Sequence, residues 1–109
     1  MGFLAVTVAF AAACTSPTLP LPPPSLPSVT AGSTAGHVKL TSIRGAEPNA
    51  VLVFYNHNPS LSPDERVDGT LADGEGSWSA EIRADSGDQI DVTQESENGK
   101  SPPTTVKIP

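Results

Sequence analysis

Short runs of alternating polar and apolar residues, cut apart by turn residues, fill the chain from Gly36 to its end. In HVKLTSI, Val38 and Leu40 share one face while Lys39 and Thr41 share the other. SWSAEIRA sets Trp78, Ala80, Ile82 and Ala84 against Ser77, Ser79, Glu81 and Arg83. RVDGTLA sets Val67, Gly69 and Leu71 against Arg66, Asp68 and Thr70. QIDVTQES turns in Ile90 and Val92, and TTVKIP turns in Val106 and Ile108. AVLVFYN is apolar on both faces, as expected of a central strand. The period is two throughout, with no 3.6-residue pattern. RGAEPNA, NHNPSLSPDE, DGEG, DSGD and ENGKSPP supply turns between the runs. Six short strands joined this way predict an all-β, antiparallel sandwich over residues 36–109.

The N-terminal part has a different composition. Phe3 to Ala13 is apolar except for Thr7. That length suits the core of a signal peptide and falls short of the ~20 residues a membrane-spanning helix needs. Residues 15–28 carry no charge and half of the twelve prolines. They predict an extended, disordered linker over 14–35, with the proline-rich stretch reaching roughly 40 Å. Every Lys, Arg, Asp and Glu lies from Lys39 onward, so the net charge of −6 belongs to the C-terminal part. An acidic surface without a basic stripe argues against nucleic acid as a partner. The single cysteine, Cys14, permits no intrachain disulfide. A domain of about 75 residues must then hold by packing and strand pairing, near the size where one core barely suffices.

Ala11, Ala12 and Ala13 directly precede Cys14, an arrangement that resembles the lipobox of bacterial lipoproteins. Ala11 stands where that family favours Leu, and no Lys or Arg precedes the apolar run. The resemblance implies a signal peptide over 1–13, removed before a Cys14 that carries lipid. It also implies attachment to a membrane through that lipid, and Thr15 after the cysteine implies the outer membrane. More than one acyl chain gives stable anchoring. A plain secretory signal and a buried N-terminal strand are the alternative readings.

A second resemblance covers about residues 36–109. GAEPNAVLVF, ADGEGSWSAEI, GDQIDV and SPPTTVKIP, in that order, are similar to bacterial immunoglobulin-like modules. That implies an Ig-like β-sandwich used for display or binding outside the cytoplasm. Transthyretin-like and carboxypeptidase-regulatory-like sandwiches share part of the pattern.

Motifs for chemistry are sparse. His37 and His57 are the only histidines, and neither belongs to a zinc-type spacing. No G-x-S-x-G, S-x-x-K or phosphate-binding glycine loop occurs. Asp73, Glu75, Asp85, Asp88 and Asp91 gather near turns, where calcium would find oxygen ligands. Ala84 stands where an EF-hand starting at Asp73 needs its last carboxylate, and Asp and Gly serve tight turns equally well. No catalytic residue, metal or cofactor is therefore assigned. Trp78 is expected in the core. Tyr55, His57 and Asn58, at the head of a long loop, are the expected binding loop. The expected function is a non-enzymatic cell-envelope lipoprotein displaying an Ig-like module, its partner an envelope protein or polysaccharide. The alternative is a secreted calcium- or glycan-binding sandwich.

Overall fold

The computed structural model describes residues 21–109, which form an all-β domain of two antiparallel sheets. The signal peptide over 1–13 and Cys14 lie outside the described residues. One sheet joins β1 (Ser28–Ala31), β2 (His37–Ser42) and β5 (Trp78–Arg83) in the order β1-β2-β5. The other runs β4 (Val67–Leu71), β3 (Val51–Asn56), β6 (Gln89–Ser96). β7 (Gly99–Lys100) and β8 (Thr104–Lys107) then pair successive parts of β6, as one strand interrupted at Ser101–Pro103. One helical turn, α1 (Pro63–Arg66), leads into β4. Among the described residues, no helix is long and apolar enough to cross a membrane.

Alternation builds the core. Leu40, Leu52, Phe54, Ile82, Ile90, Val92, Val106 and Ile108 point between the sheets and are buried. Trp78 is buried as expected, its ring 5.3 Å from that of Phe54 at a 47° tilt. Such a tilted pair adds to what area burial alone supplies.

One expectation needs correction. The folded unit does not begin at residue 36, and residues 21–35 are not a free linker. Ser28–Ala31 pairs with β2, Ser28 opposite Thr41 and Ala31 opposite Val38. Upstream, Leu21 is buried and Ser25 N–H donates to Gly45 O at 2.8 Å. Gln94 Nε2 donates to Pro22 O at 2.8 Å, and the Thr104 hydroxyl donates to Pro24 O. Proline lacks an N–H, so it cannot build a ladder, but its carbonyl still accepts. Side chains of the sheet reach those carbonyls, and the segment lies against the domain.

β3 takes the central position expected of it. Only its Leu52, Phe54 and Asn56 are buried, while Val51 and Tyr55 are exposed. One face of an antiparallel sheet can stay in water, and here the outer face does. In β4 the apolar set faces outward: Val67 is 54% and Leu71 67% exposed. The following residue sets the parity. Ala72 is buried and its N–H donates to Ala50 O at 2.8 Å. Counting back in twos puts Thr70 and Asp68 on the inner side, where the Thr70 hydroxyl lies 3.4 Å from Ser79 O.

Candidate functional site

The outer face of the β4-β3-β6-β8 sheet carries ordered rows of side chains. Leu71, Val51 and Glu95 form one row, Gly69, Val53 and Thr93 the next. Val67, Tyr55, Asp91 and Thr105 form the third. The face is therefore apolar along β4 and β3 and polar along β6 and β8. Val51 is 41% exposed and Tyr55 38%, so the apolar half meets solvent.

Tyr55 and His57, both expected in a binding loop, come together at one end of this face. Their rings meet edge to face, with centroids 4.9 Å apart. His57 Nε2 lies 2.8 Å from Asp91 Oδ2, and Thr105 Oγ1 donates to Asp91 Oδ1 at 2.9 Å. Partial burial pushes the Asp91 carboxyl up. The hydrogen bonds from His57 and Thr105, with the His57 charge, outweigh it and hold Asp91 below the usual range. Both Asp91 oxygens are thus engaged, and the Thr105 hydroxyl is directed at a carboxylate rather than a base. The cluster holds a surface geometry and supplies no activated nucleophile.

Asn58 belongs elsewhere. Its Nδ2 donates to Asp88 Oδ1 at 3.0 Å, its N–H to Asn56 Oδ1 at 2.8 Å, and its Oδ1 accepts from Ser60 N–H. Buried Asn56 donates to Arg83 O and Asp88 Oδ2, and Asp85 N–H also donates to Asp88 Oδ2. Asn58 therefore ties a loop to the sandwich end and leaves little of itself for a ligand. His37 sits at the start of β2 in the other sheet, its Nδ1 3.2 Å from Ala35 O.

The carboxylates weighed as calcium ligands have protein partners. Asp73 Oδ1 accepts from the N–H groups of Glu75 and Ser77, which hold its pKa low. Asp85 pairs with Arg83 at 2.7 Å. Among the described residues, no three His, Cys, Asp or Glu are grouped to hold a metal ion. The sequence had marked Asp91 for its charge alone. Its partners Thr105 and His57 are distant in sequence, and only strand register brings them together.

The depressed carboxylates set an expected pH response. Burial pushes Asp88 up, but the Asp85 N–H, Asn56, Asn58 and the Arg83 charge bring it below its ordinary value of 3.8. A folded pKa below the unfolded one contributes stability above the ordinary carboxylate range, lost as pH falls through the folded value. Urea midpoints should hold steady from neutral pH to about 5, then fall steadily toward about 2. In Asp88→Asn that acid-side fall should be shallower; an identical profile would refute the assignment.

Compared with protein-family models, curated proteins and solved structures, the chain shows no significant match.

Proposed function

We propose that this chain is a non-enzymatic cell-envelope lipoprotein that displays an Ig-like binding module. The observation that carries the binding role is the outer sheet face, where Val51, Tyr55, Val67 and Leu71 stand in water together. A small domain with few large apolar residues gains nothing in stability from leaving four in one solvated patch, and such patches mark contact surfaces.

The strand order supports the Ig-like reading. A first, second and fifth strand face a third, sixth and last strand, and the chain changes sheet after β2, β4 and β5. The constant-type Ig scheme has the same division except for the fourth strand. Here β4 extends the sheet of β3, as variable-type modules extend theirs.

The leader ending in Ala-Ala-Ala-Cys supports the anchor. The full-length wild type should fractionate with membranes, and its mature form should begin at residue 14 with added lipid mass. Cys14→Ser should move most of the protein to the soluble fraction. An unlipidated soluble wild type would defeat the anchor in favour of plain secretion.

Glycan binding by the same module is a second reading, favoured by the half-exposed Tyr55 ring beside Asp91 and Thr105. An affinity gel of cell-wall polysaccharide that retards wild type but not Tyr55→Ala would support it.

A further inference from the structure

Among the described residues, β4 is the outermost strand of its sheet and pairs only with β3. The Ala72 N–H to Ala50 O bond fixes the phase of that ladder. Antiparallel pairs alternate between bonded and non-bonded. Thr70 and Asp68 therefore exchange bonds with Leu52 and Phe54, while Val67, Gly69 and Leu71 turn N–H and C=O to the open edge. The Gly69 N–H donates to the Asp68 carboxylate at 2.7 Å. The same residues that face the edge carry their side chains on the outer face, where Val67 and Leu71 flank the gap at Gly69.

We propose that this edge is a strand-addition site for an extended, basic segment of a partner protein. Three features select that occupant. The outward backbone groups offer hydrogen bonds to any extended chain. Val67 and Leu71 offer apolar contact to alternate residues of the incoming strand, and a large ring would fill the gap over Gly69. Asp68 stands next to Gly69, the middle residue of the edge, on a chain of net charge −6, with Asp64, Glu65 and Arg66 just before the strand. A Lys or Arg beside Asp68 draws its carboxylate from the Gly69 N–H and frees that donor for pairing. A second copy brings another acidic edge and another −6, so like charge opposes self-pairing. The partner segment thus alternates apolar residues, next to Val67 and Leu71, with basic residues next to Asp68. This inference deepens the binding-module reading and rests on it, but does not depend on the lipid anchor.

The test uses the full chain in nonionic detergent and a labelled peptide, Lys-Val-Lys-Phe-Lys-Val-Lys, with a Glu-for-Lys version as its counterpart. Fluorescence anisotropy should show saturable binding of the basic peptide and at least about tenfold weaker binding of the acidic one. Hydrogen exchange should slow at the Val67, Gly69 and Leu71 amides. Leu71→Lys should weaken the basic peptide by about tenfold, and Asp68→Lys should reverse the preference. Ile43→Lys, at another exposed apolar site, should change neither. Circular dichroism of each variant checks that it folds. No binding at low salt, or equal binding of both peptides, overturns the proposal. A peptide-free dimer in sedimentation equilibrium with those amides protected overturns it in favour of a second copy. Saturable binding with protection confined to other strands overturns the edge and leaves the binding-module reading standing.

Discussion

Replacing Gly76 with alanine is expected to remove about 3 kcal/mol or more of folding stability, a large share of the roughly 5–10 kcal/mol a small domain has. Gly76 sits at φ +84°, where an L side chain costs about 1–2 kcal/mol. The added methyl would also fall on the Ala46 carbonyl oxygen, well inside contact distance. That oxygen belongs to a backbone that cannot yield freely. Ala46 N–H donates to Gly76 O at 3.1 Å, and Gly76 N–H donates to Asp73 O at 3.0 Å. Relieving the clash opens both bonds and loosens the turn that feeds β5. Gly74, two residues earlier in the same turn, is the control: a Cβ there meets nothing within 4 Å. Gly74→Ala should stay within about 0.5 kcal/mol of wild type. Urea unfolding of the two variants measures the contrast, and equal midpoints would contradict it.

Truncating Trp78 to alanine is expected to cost about 3–5 kcal/mol, as removal of a buried aromatic does. The side chain is 5% exposed and packs on Phe54, so its loss leaves a cavity shared by both sheets. Trp78→Phe should behave differently. The indole Nε1 is buried and finds no hydrogen-bond partner among the described residues. An unpaired buried donor costs about 1–3 kcal/mol, and phenylalanine removes it along with part of the ring. The two effects oppose each other, and the net change should be about 1 kcal/mol or less. Unfolding followed by circular dichroism checks both, since the chain has one tryptophan to report by fluorescence. If Trp78→Phe proves as harmful as Trp78→Ala, the indole N–H has an acceptor after all.

The alternation that made the sandwich legible carries information about period, and less about which face is covered. In β2, β5 and β6 one face is plainly apolar, and the faces expected inward are inward. In β4 both faces are weakly marked, and one glycine and one Asp leave the parity open. The buried Ala72 and its bond to Ala50 decide it, a long-range contact invisible in a five-residue run. β3 was legible as central and illegible as half-solvated, because a strand apolar on both faces reads the same whether or not a second layer exists. β1 and the proline segment escaped because their partners are distant: Gln94 and Thr104 reach carbonyls at Pro22 and Pro24. At the candidate site, the Tyr55–His57 pairing follows from their i, i+2 spacing on one face. Asp91 and Thr105 arrive through register, and the inward turn of Asn58 through a network centred on Asp88.

The docking of Leu21–Pro27 on the sandwich shortens the leash that the proposed lipid anchor would leave. Under that proposal, the seven residues from Cys14 to the buried Leu21 reach at most about 25 Å even when fully extended. The end of the domain near Gly45 and Gln94, where Ser25 and Pro22 dock, would then stay within a thin layer above the bilayer. A target dissolved far from the membrane meets this domain only by coming to that layer. A target fixed in the same membrane meets it through a two-dimensional search at high local concentration.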